Sequence, residues 1–465
     1  MSKWFVAILL AALAVQCAAT GAWADAPTTD PAQAITMGGA LTHYDRSRDA
    51  YSRPAPGLSS IELRRFGLGN RVFNTRWVEA PASVSGFDGL GPIFNRDSCS
   101  GCHLRDGRGR PPDSERTERK DTFVVKVAAT HRRTQRLVAN TFGPQLNTAA
   151  ITGVAPEGRV VVRYREISGR FADKSVFSLR QPIVELRDTS FAVDRRMQFH
   201  MRVAPAVFGL GLIEAVPADA IIAFADPGDA NRDGISGRVN WVMAPGDKTA
   251  RVGRFGWKAR VARLVDQSVD AAIEDIGLTS SVHPRQNCTA AEVSCANIGS
   301  GDEVELSAPL LTALVGYLQS LGVPARASTQ APQRRADGFR LFQQFKCDSC
   351  HRPMLITGAT HPLALLRNQT IFPYSDFLLH DMGAEMAGAA NDGEASPSEW
   401  RTPPLWGLGL LETVNGHTLL LHDGRARSVS EAILWHGGEG RAARAAFRRA
   451  ATEDRAVLTE FVMSL

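Results

Sequence analysis

The sequence predicts a mainly α-helical fold of two tandem domains, with β-hairpin insertions in the first domain. Segments of the first half recur in the same order in the second half: residues 69–73 match 338–342, and residues 314–321 match 458–465. The two closing segments carry apolar residues at helical spacing. In the first half, β-branched runs at 122–127 and 159–164 are bounded by glycine and charged residues, which predicts hairpin strands.

The N-terminus predicts an export signal. Lys3 precedes an apolar run over residues 4–15, and small residues at positions 22 and 24 form a cleavage site. We therefore expect residues 1–24 to be a cleavable signal peptide and the mature chain to be periplasmic. The apolar run is too short for a permanent membrane helix, so we expect no stable membrane insertion of the mature chain. An uncleaved anchor is the alternative.

Chain length alone predicts two or three domains, because the residues after the signal exceed what one hydrophobic core usually holds. We place the first domain at 37–323 and the second at 335–465, joined by a linker at 324–334 that is rich in proline, alanine and polar residues. The formal net charge is +5, with both signs interspersed along the chain. This balance predicts no nucleic-acid partner.

One motif occurs twice, as Cys99-Ser-Gly-Cys102-His103 and Cys347-Asp-Ser-Cys350-His351. This spacing is typical of c-type haem attachment, in which two thiols bond the vinyl groups and the histidine holds the iron. One zinc ion held by four thiolates, or a thioredoxin-like dithiol, would not need the histidine after each pair. We therefore expect two covalently attached haem c groups.

The two remaining cysteines after the signal, Cys288 and Cys295, predict a local disulfide in an oxidising compartment.

The repeat predicts that the two haems differ in their second axial ligand. Residues 422–436 align without gaps on residues 257–271, so that Arg425 matches Arg260 while His436 matches Ala271. We expect His351 and His436 to hold the second iron, with Met382 as an alternative sulfur ligand, whereas His103 alone would hold the first. The second haem would then have both axial positions filled, and the first would keep one axial position open to a small ligand.

Polar side chains follow Ala271 on the next helical turn. Glu274 and Asp275 could donate or accept a proton over the open site, and Gln267 could orient a ligand there. Arg202 and Arg401, and likewise Arg260 and Arg425, recur in the two halves and could pair with haem propionates as bidentate donors. Ordinary surface ion pairing is the alternative for all four arginines.

A polar segment of the first half resembles the start of an EF-hand loop. Asp229, Asn231 and Asp233 alternate and are followed by Gly234, which predicts a calcium site. The twelfth position is Asn240, which cannot act as a bidentate carboxylate. An Asx-rich surface turn is therefore the alternative.

A helix before the haem cysteines, crossed by a helix at the end of the domain, resembles a small cytochrome c, so the chain resembles two tandem cytochrome c-like domains. Over nearly all of residues 37–465 it is similar to the bacterial di-haem peroxidase superfamily. It resembles most closely the di-haem oxidoreductase family that often carries the label thiol oxidoreductase. The segments that carry this likeness are 89–109, 253–259, 379–383 and 422–438.

The resemblance implies a role for each candidate residue. The N-terminal haem would be peroxidatic, and the C-terminal haem, with His436 as its sixth ligand, would pass electrons to it. Gln267 and Asp275 match the glutamine and the acid/base glutamate of the peroxidases, with Glu274 beside them, and Trp257 would be an electron conduit. A small cytochrome or cupredoxin would supply electrons, and peroxide or another small oxidant would receive them.

The sequence therefore predicts a periplasmic, peroxidase-like di-haem oxidoreductase. A non-catalytic electron-transfer cytochrome with two six-coordinate irons is the first alternative, and a haem-stabilised binding module is the second.

Overall fold

The computed structural model describes residues 30–84, 86–113, 121–129, 131–189, 191–296, 298, 304–327, 330–388 and 391–465. The predicted signal peptide lies outside these residues, and residues 328 and 329 of the predicted linker do so as well. Within the described part, no helix is long and apolar enough to cross a membrane.

The described residues form short to medium helices spread over the whole chain. The α-helices are α1 (Ser60–Asn74), α2 (Arg132–Thr141), α3 (Leu210–Ala215), α4 (Ala218–Ile222), α5 (Leu264–Ala271), α6 (Val293–Ala296), α7 (Ala308–Ser320), α8 (Pro332–Gln344), α9 (Leu411–Asn415), α10 (Val429–Trp435), α11 (Arg441–Arg449) and α12 (Thr452–Ser464). A π-helical turn, Ala272–Ile276, continues α5.

The strands of the described residues pair two by two. They are β1 (Thr42–His43), β2 (Ile93–Phe94), β3 (Phe123–Ala129), β4 (Ala149–Ala150), β5 (Arg159–Arg170), β6 (Val176–Arg187), β7 (Met197–Val203), β8 (Trp241–Val242), β9 (Arg251–Val252), β10 (Val323–Pro324), β11 (Leu355–Ile356), β12 (Thr370–Ile371), β13 (Leu379–Asp381) and β14 (Glu399–Arg401). The pairs are β1–β10, which is parallel, and the antiparallel pairs β2–β4, β3–β7, β5–β6, β8–β9, β11–β12 and β13–β14.

The prediction of a mainly α fold is wrong, because the chain is 33% helix and 17% strand. The helices predicted at the two ends of each half, α1, α7, α8 and α12, do form. The long stretches between them instead form loops and short ladders. The β-branched run at 159 extends into a hairpin of two twelve-residue strands, and the run at 122 pairs with distant β7 rather than with its neighbour.

The helices that flank each cysteine motif cross closely at a glycine. α1 packs against α7, and a Cβ atom on Gly69 would lie 2.0 Å from the carbonyl oxygen of Ala313. α8 packs against α12, and a Cβ atom on Gly338 would lie 2.4 Å from the Cβ of Phe461. These two glycines occupy the same position of the sequence repeat, so the same crossing recurs in both halves.

The interior is shared between the halves. A continuous cluster of buried apolar side chains contains Phe73 and Tyr317 from the first half and Phe342 and Phe461 from the second. The β5–β6 hairpin also reaches the second half, since Arg180 donates hydrogen bonds to the carbonyl oxygens of residues 424 and 425, both at 3.1 Å. The insertion therefore braces the C-terminal half.

Candidate functional site: two cavities on the cysteine motifs

Each cysteine motif lines its own cavity of about 280 Å³. Cys99, Cys102 and His103 line the first cavity. Cys347, Cys350 and His351 line the second. Because the pairs open into different cavities, they do not fit a single ion held by four thiolates.

The backbone of each motif forms a tight 3₁₀ turn. The turns are Cys99–Gly101 and Cys347–Ser349. The amide of His103 donates to the carbonyl oxygen of Cys99 at 3.0 Å, and that of His351 donates to Cys347 at 2.9 Å. The turn thus brings two thiols and one imidazole into the wall of each cavity.

The rings of three histidines at the cavities are oriented by the same kind of hydrogen bond. The Nδ1 atoms of His103, His351 and His436 lie 2.7, 2.9 and 2.7 Å from the backbone oxygens of Pro205, Tyr374 and Ala432. A hydrogen bond from Nδ1 to a carbonyl holds the ring and leaves Nε2 free as a ligand. Burial lowers the pKa of His103 and of His351 to about 4, so both rings are neutral and competent to bind a metal.

The equivalent helices support the two motif histidines in the same way. Phe73 of α1 lies 6.1 Å from the His103 ring, and Phe342 of α8 lies 6.4 Å from the His351 ring, measured between centroids. The helix crossings described above therefore set the position of each imidazole.

Besides His351, three histidines and two methionines line the second cavity, namely His380, His422, His436, Met382 and Met386. His436, at the C-terminal end of α10, lines the same cavity as His351, and so does Met382. The structure thus brings both predicted alternatives for the sixth ligand to this cavity, and the choice of His436 stays a prediction.

The first cavity differs at the matching position. Ala271, the repeat partner of His436, lines this cavity, and among the described lining residues His103 is the only histidine and no methionine is present. A ligand held by His103 would therefore face a wall without a second imidazole or thioether. This asymmetry agrees with the pattern read from the repeat.

The predicted acid/base residues also line the first cavity. Glu274 and Asp275 lie in the π-helical turn, a distortion that is frequent at functional sites. Lys126 Nζ lies 2.8 Å from Glu274 Oε2, and an Arg260 nitrogen lies 3.1 Å from Glu274 Oε1. Gln145 Nε2 donates to Asp275 Oδ1 at 2.6 Å. Charged partners thus hold Glu274, and a neutral amide holds Asp275.

Lys126 and Gln145 were not identified from the sequence. Lys126 lies on β3, and Gln145 lies in the loop that follows α2, so both come from the β-rich insertion, more than 120 residues before their partners. A lysine inside an otherwise β-branched and apolar strand was the available signal for Lys126. No local pattern marked Gln145.

The remaining predicted residues divide between the cavities. Gln267 lines the first cavity with a buried and unpartnered Oε1 atom. Trp257 lines both cavities, and its Nε1 donates to the carbonyl oxygen of Val203 at 2.7 Å. Arg108 and Arg401 also line both cavities, and the Arg108 guanidinium lies 5.0 Å above the Trp257 ring.

The four arginines predicted to bind propionates are placed differently: Arg202 lines the first cavity and Arg401 lines both. Arg260 lines the first cavity, where it pairs with Glu274 at 3.1 Å and with Asp270 at 3.5 Å. Arg425 is buried outside the walls of both cavities, paired with Asp423 at 2.7 Å. Arg108, which was not identified from the sequence, lines both cavities as Arg401 does.

The predicted calcium loop lies on the surface with its oxygens satisfied. Asp229 accepts the amide of Gly234 at 3.2 Å, Asp233 accepts the amide of Ile235 at 2.9 Å, and Asn231 donates to Asp233 at 3.1 Å. These bonds are those of an Asx-rich turn. Calcium in this loop stays a prediction.

The residues present fit a haem in each cavity. Both cavities have largely apolar walls, two thiols and an imidazole with a free Nε2. Buried polar atoms without a partner also occur on side chains of the walls, namely Arg108 Nε, Gln267 Oε1 and His422 Nε2. A buried polar atom without a hydrogen-bond partner destabilises the fold. These three atoms therefore suit contact with a polar group of a bound haem.

Comparisons with known proteins identify the family. A family described as "Di-haem oxidoreductase, putative peroxidase" matches residues 32–134 and 150–465. Among solved structures, Kuenenia stuttgartiensis hydrazine synthase pressurized with xenon is similar over 89% of this chain and 94% of that chain, at 11% identity and a TM-score of 0.29. No curated protein matches significantly. The family match covers most of the chain and both cavities, and the chain therefore belongs to the di-haem oxidoreductase family.

Proposed function

We propose that this protein is an exported di-haem c-type oxidoreductase that reduces peroxide, or a similarly small oxidant, at the first cavity. Electrons would enter at the second cavity from a small cytochrome or cupredoxin. Covalent attachment through Cys99 and Cys102, and through Cys347 and Cys350, is part of the proposal. The observation that carries it is the difference between Ala271 and His436 at matching positions of the two cavities.

A haem in each cavity would supply redox-active iron, with a vacant coordination position only where the chain offers a single histidine. His103 would hold the first iron, and His351 with His436 would hold the second. Met382 remains the alternative partner of His351.

The chain's own proton chemistry centres on Asp275. Burial, together with the negative charge of Glu274, raises the pKa of Asp275 to about 6, against the opposing effects of the Gln145 hydrogen bond and of the charges on Lys126 and Arg260. Burial alone would raise the pKa of Glu274 as well, but the charges of Lys126 and Arg260 outweigh burial and lower it. Asp275 therefore exchanges a proton near neutral pH, while Glu274 stays an anion. We assign to Asp275 the transfer of a proton from one peroxide oxygen to the other.

Trp257 supports an electron route between the cavities, because its indole forms part of both walls. The hydrogen bond to Val203 and the guanidinium of Arg108 fix the ring in place. The side chain thus lies in the boundary that the two cavities share, a position that suits the electron conduit that the family resemblance implies.

Spin state and turnover test this function together. We expect the oxidised or half-reduced protein to show one high-spin and one low-spin haem, and the fully reduced protein to bind carbon monoxide at one haem and not at the other. We also expect turnover of peroxide with a reduced small cytochrome. Two low-spin haems that bind no carbon monoxide would instead establish an electron carrier, and haem spectra without turnover would favour a binding module.

A further inference from the structure

A buried loop of the β-rich insertion contacts both carboxylate residues of the first cavity. Gln145 is 4% exposed, and its Nε2 atom donates to Asp275 Oδ1 at 2.6 Å and to the backbone oxygen of Glu274 at 3.1 Å. One amide group thus binds the side chain of Asp275 and the peptide immediately before it. Asp275 Oδ2 accepts no hydrogen bond from the described residues, so this oxygen is left for a ligand in the cavity.

The amide of Gln145 acts on Asp275 in one direction only. It is neutral and donates to the carboxylate, which favours the ionised form and lowers the pKa of Asp275. The charges of Lys126 and Arg260 also lower this pKa, whereas burial and the charge of Glu274 raise it. Gln145 is the uncharged side chain that touches the carboxylate, so its effect depends on its position and not on a charge.

Asn95 fixes the amide and the carboxylate relative to each other. This residue is 3% exposed, and its backbone amide donates to the carbonyl oxygen of Asp275 at 2.8 Å. Its Nδ2 atom donates to the carbonyl oxygen of Leu146 at 2.9 Å, and its Oδ1 atom accepts the amide of Thr148 at 3.3 Å. A single residue therefore binds the backbone of Asp275 and the loop that carries Gln145.

The same loop is joined to the strand that carries Lys126. Lys126 and Gln145 form an antiparallel β-bridge, and the amide of Leu146 donates to the carbonyl oxygen of Val125 at 2.9 Å. The residues that hold Glu274 and Asp275 thus lie opposite each other in one backbone pairing. The insertion presents an ammonium group to one carboxylate and an amide to its neighbour from one hydrogen-bonded unit.

An aspartate needs such a contact if it is to transfer a proton in a fixed direction. The terminal torsion of an aspartate is broad, so a free carboxylate samples many orientations. A hydrogen bond to one oxygen selects one orientation and leaves the other oxygen toward the ligand. Proton transfer depends on this alignment, since small errors in the position of a reacting group lower the rate strongly.

We propose that Gln145 is the positioning residue for Asp275: its amide binds Oδ1 and directs Oδ2 to the proton of the substrate, and Asn95 holds that amide in place. This inference rests on the proposed function, because it adds Gln145 to the proton transfer that Asp275 performs. The β-rich insertion, which braces the second half through its hairpin, then also serves the chemistry of the first cavity.

The titration of Asp275 in the full-length di-haem protein tests this role without turnover. The infrared band of the protonated carboxyl is followed against pH, and its loss in Asp275→Asn identifies it. Gln145→Met keeps a side chain of similar size without the donor. The pKa of Asp275 should therefore rise, because the ionised form loses a hydrogen bond. Gln198→Met, the same change at an exposed position of β7, is the matched control and should leave the titration unchanged.

Peroxide kinetics give the second readout. Gln145→Met should lower the catalytic efficiency roughly three- to tenfold at pH 7, the usual effect of one hydrogen bond, and move its rise to higher pH. Gln145→Glu has nearly the shape of glutamine but places a negative charge beside Asp275. It should raise the pKa further and lower the efficiency more than Gln145→Met does. A role in packing alone predicts the opposite order.

An unchanged titration of Asp275 in Gln145→Met would overturn the inference, and so would an equal loss of efficiency in Gln198→Met. Gln145→Asn, whose amide is one methylene shorter, should change the pKa in the same direction, so the test stands even if methionine is not tolerated. Failure of the proposed function has a different signature. If the infrared titration shifts as expected but the unchanged protein does not turn over peroxide, Gln145 still orients Asp275 and the peroxide reaction is wrong.

Discussion

At the scale of single residues, the central difference is between Ala271 and His436. The repeat placed them in equivalent positions, and the structure puts each in the wall of its own cavity. A gapless internal alignment could reveal this because the two positions lie on corresponding helices. The choice between His436 and Met382 could not be made in that way, because both side chains reach the second cavity.

We predict that His436→Ala converts the second haem from low spin to high spin and allows it to bind carbon monoxide. Loss of the second imidazole leaves His351 as the single axial ligand. Electron paramagnetic resonance and carbon monoxide difference spectra measure the change, and Met382→Leu is the matched control. If Met382→Leu causes the change and His436→Ala does not, sulfur is the ligand.

We predict that the catalytic efficiency for peroxide rises with pH through about 6, the pKa to which burial raises Asp275. Hydrogen peroxide is neutral at this pH, so the carboxylate must first be deprotonated to accept its proton, and that form dominates above the pKa. Asp275→Asn should abolish this rise with pH and lower the catalytic efficiency roughly 10²- to 10⁴-fold, the usual contribution of acid–base catalysis.

The control for this profile is Glu274→Gln. The negative charge of Glu274 raises the pKa of Asp275. Removal of that charge should therefore move the rise in catalytic efficiency to lower pH without abolishing it. If the catalytic efficiency of Asp275→Asn still rises near pH 6, a group other than Asp275 causes the rise.

Residues that meet only through the tertiary fold were beyond sequence reasoning. Lys126 and Gln145 approach Glu274 and Asp275 from the insertion, and Arg108 faces both cavities where Arg425 was expected. Local spacing carries information about neighbours on one helix or strand. It carries none about which strand covers a helix more than a hundred residues away.

At the scale of elements, apolar spacing located the closing helices α7 and α12, and the repeat together with the resemblance to a cytochrome c located α1 and α8. The overall class could not be predicted, because the stretches between these helices form loops, ladders of two or three residues and two longer strand pairs, β3–β7 and β5–β6. The β5–β6 hairpin was recognised by its first strand only. Its role as a brace depends on contacts with α11 and α12, which no local pattern indicates.

We predict that Phe171→Ala lowers the free energy of unfolding by about 2 kcal/mol, roughly half the cost of truncating a fully buried phenylalanine. Phe171 lies at the hairpin tip, 5.0 Å from the Phe177 ring and 6.2 Å from the Phe447 ring, and Arg455 lies 4.0 Å from its centre. Urea unfolding measures the loss. Ile167→Ala, at a position 37% exposed, is the control and should change stability little. An equal loss in both variants would contradict the brace.

At the scale of the whole molecule, the walls of the two cavities share Trp257. We predict that Trp257→Phe lowers turnover about tenfold, equivalent to ~1.4 kcal/mol in activation free energy, while both haem spectra stay unchanged. Stopped-flow reduction of the first haem by electrons from the second measures the step. Trp77→Phe is the control, because Trp77 lines the first cavity only. Equal slowing in both variants would point to a packing effect rather than to an electron route.

The shared guanidinium groups couple the two centres thermodynamically. Burial lowers the pKa of Arg108 and of Arg401 to about 10, so both stay charged at neutral pH, and both border the two cavities at once. A positive charge nearby disfavours ferric relative to ferrous iron, so Arg401→Met should lower both midpoint potentials together in a spectroelectrochemical titration. A substitution at either arginine therefore shifts the midpoint potentials of both haems in the same direction. The difference between the two potentials, which drives electrons from one haem to the other, changes less than either potential does.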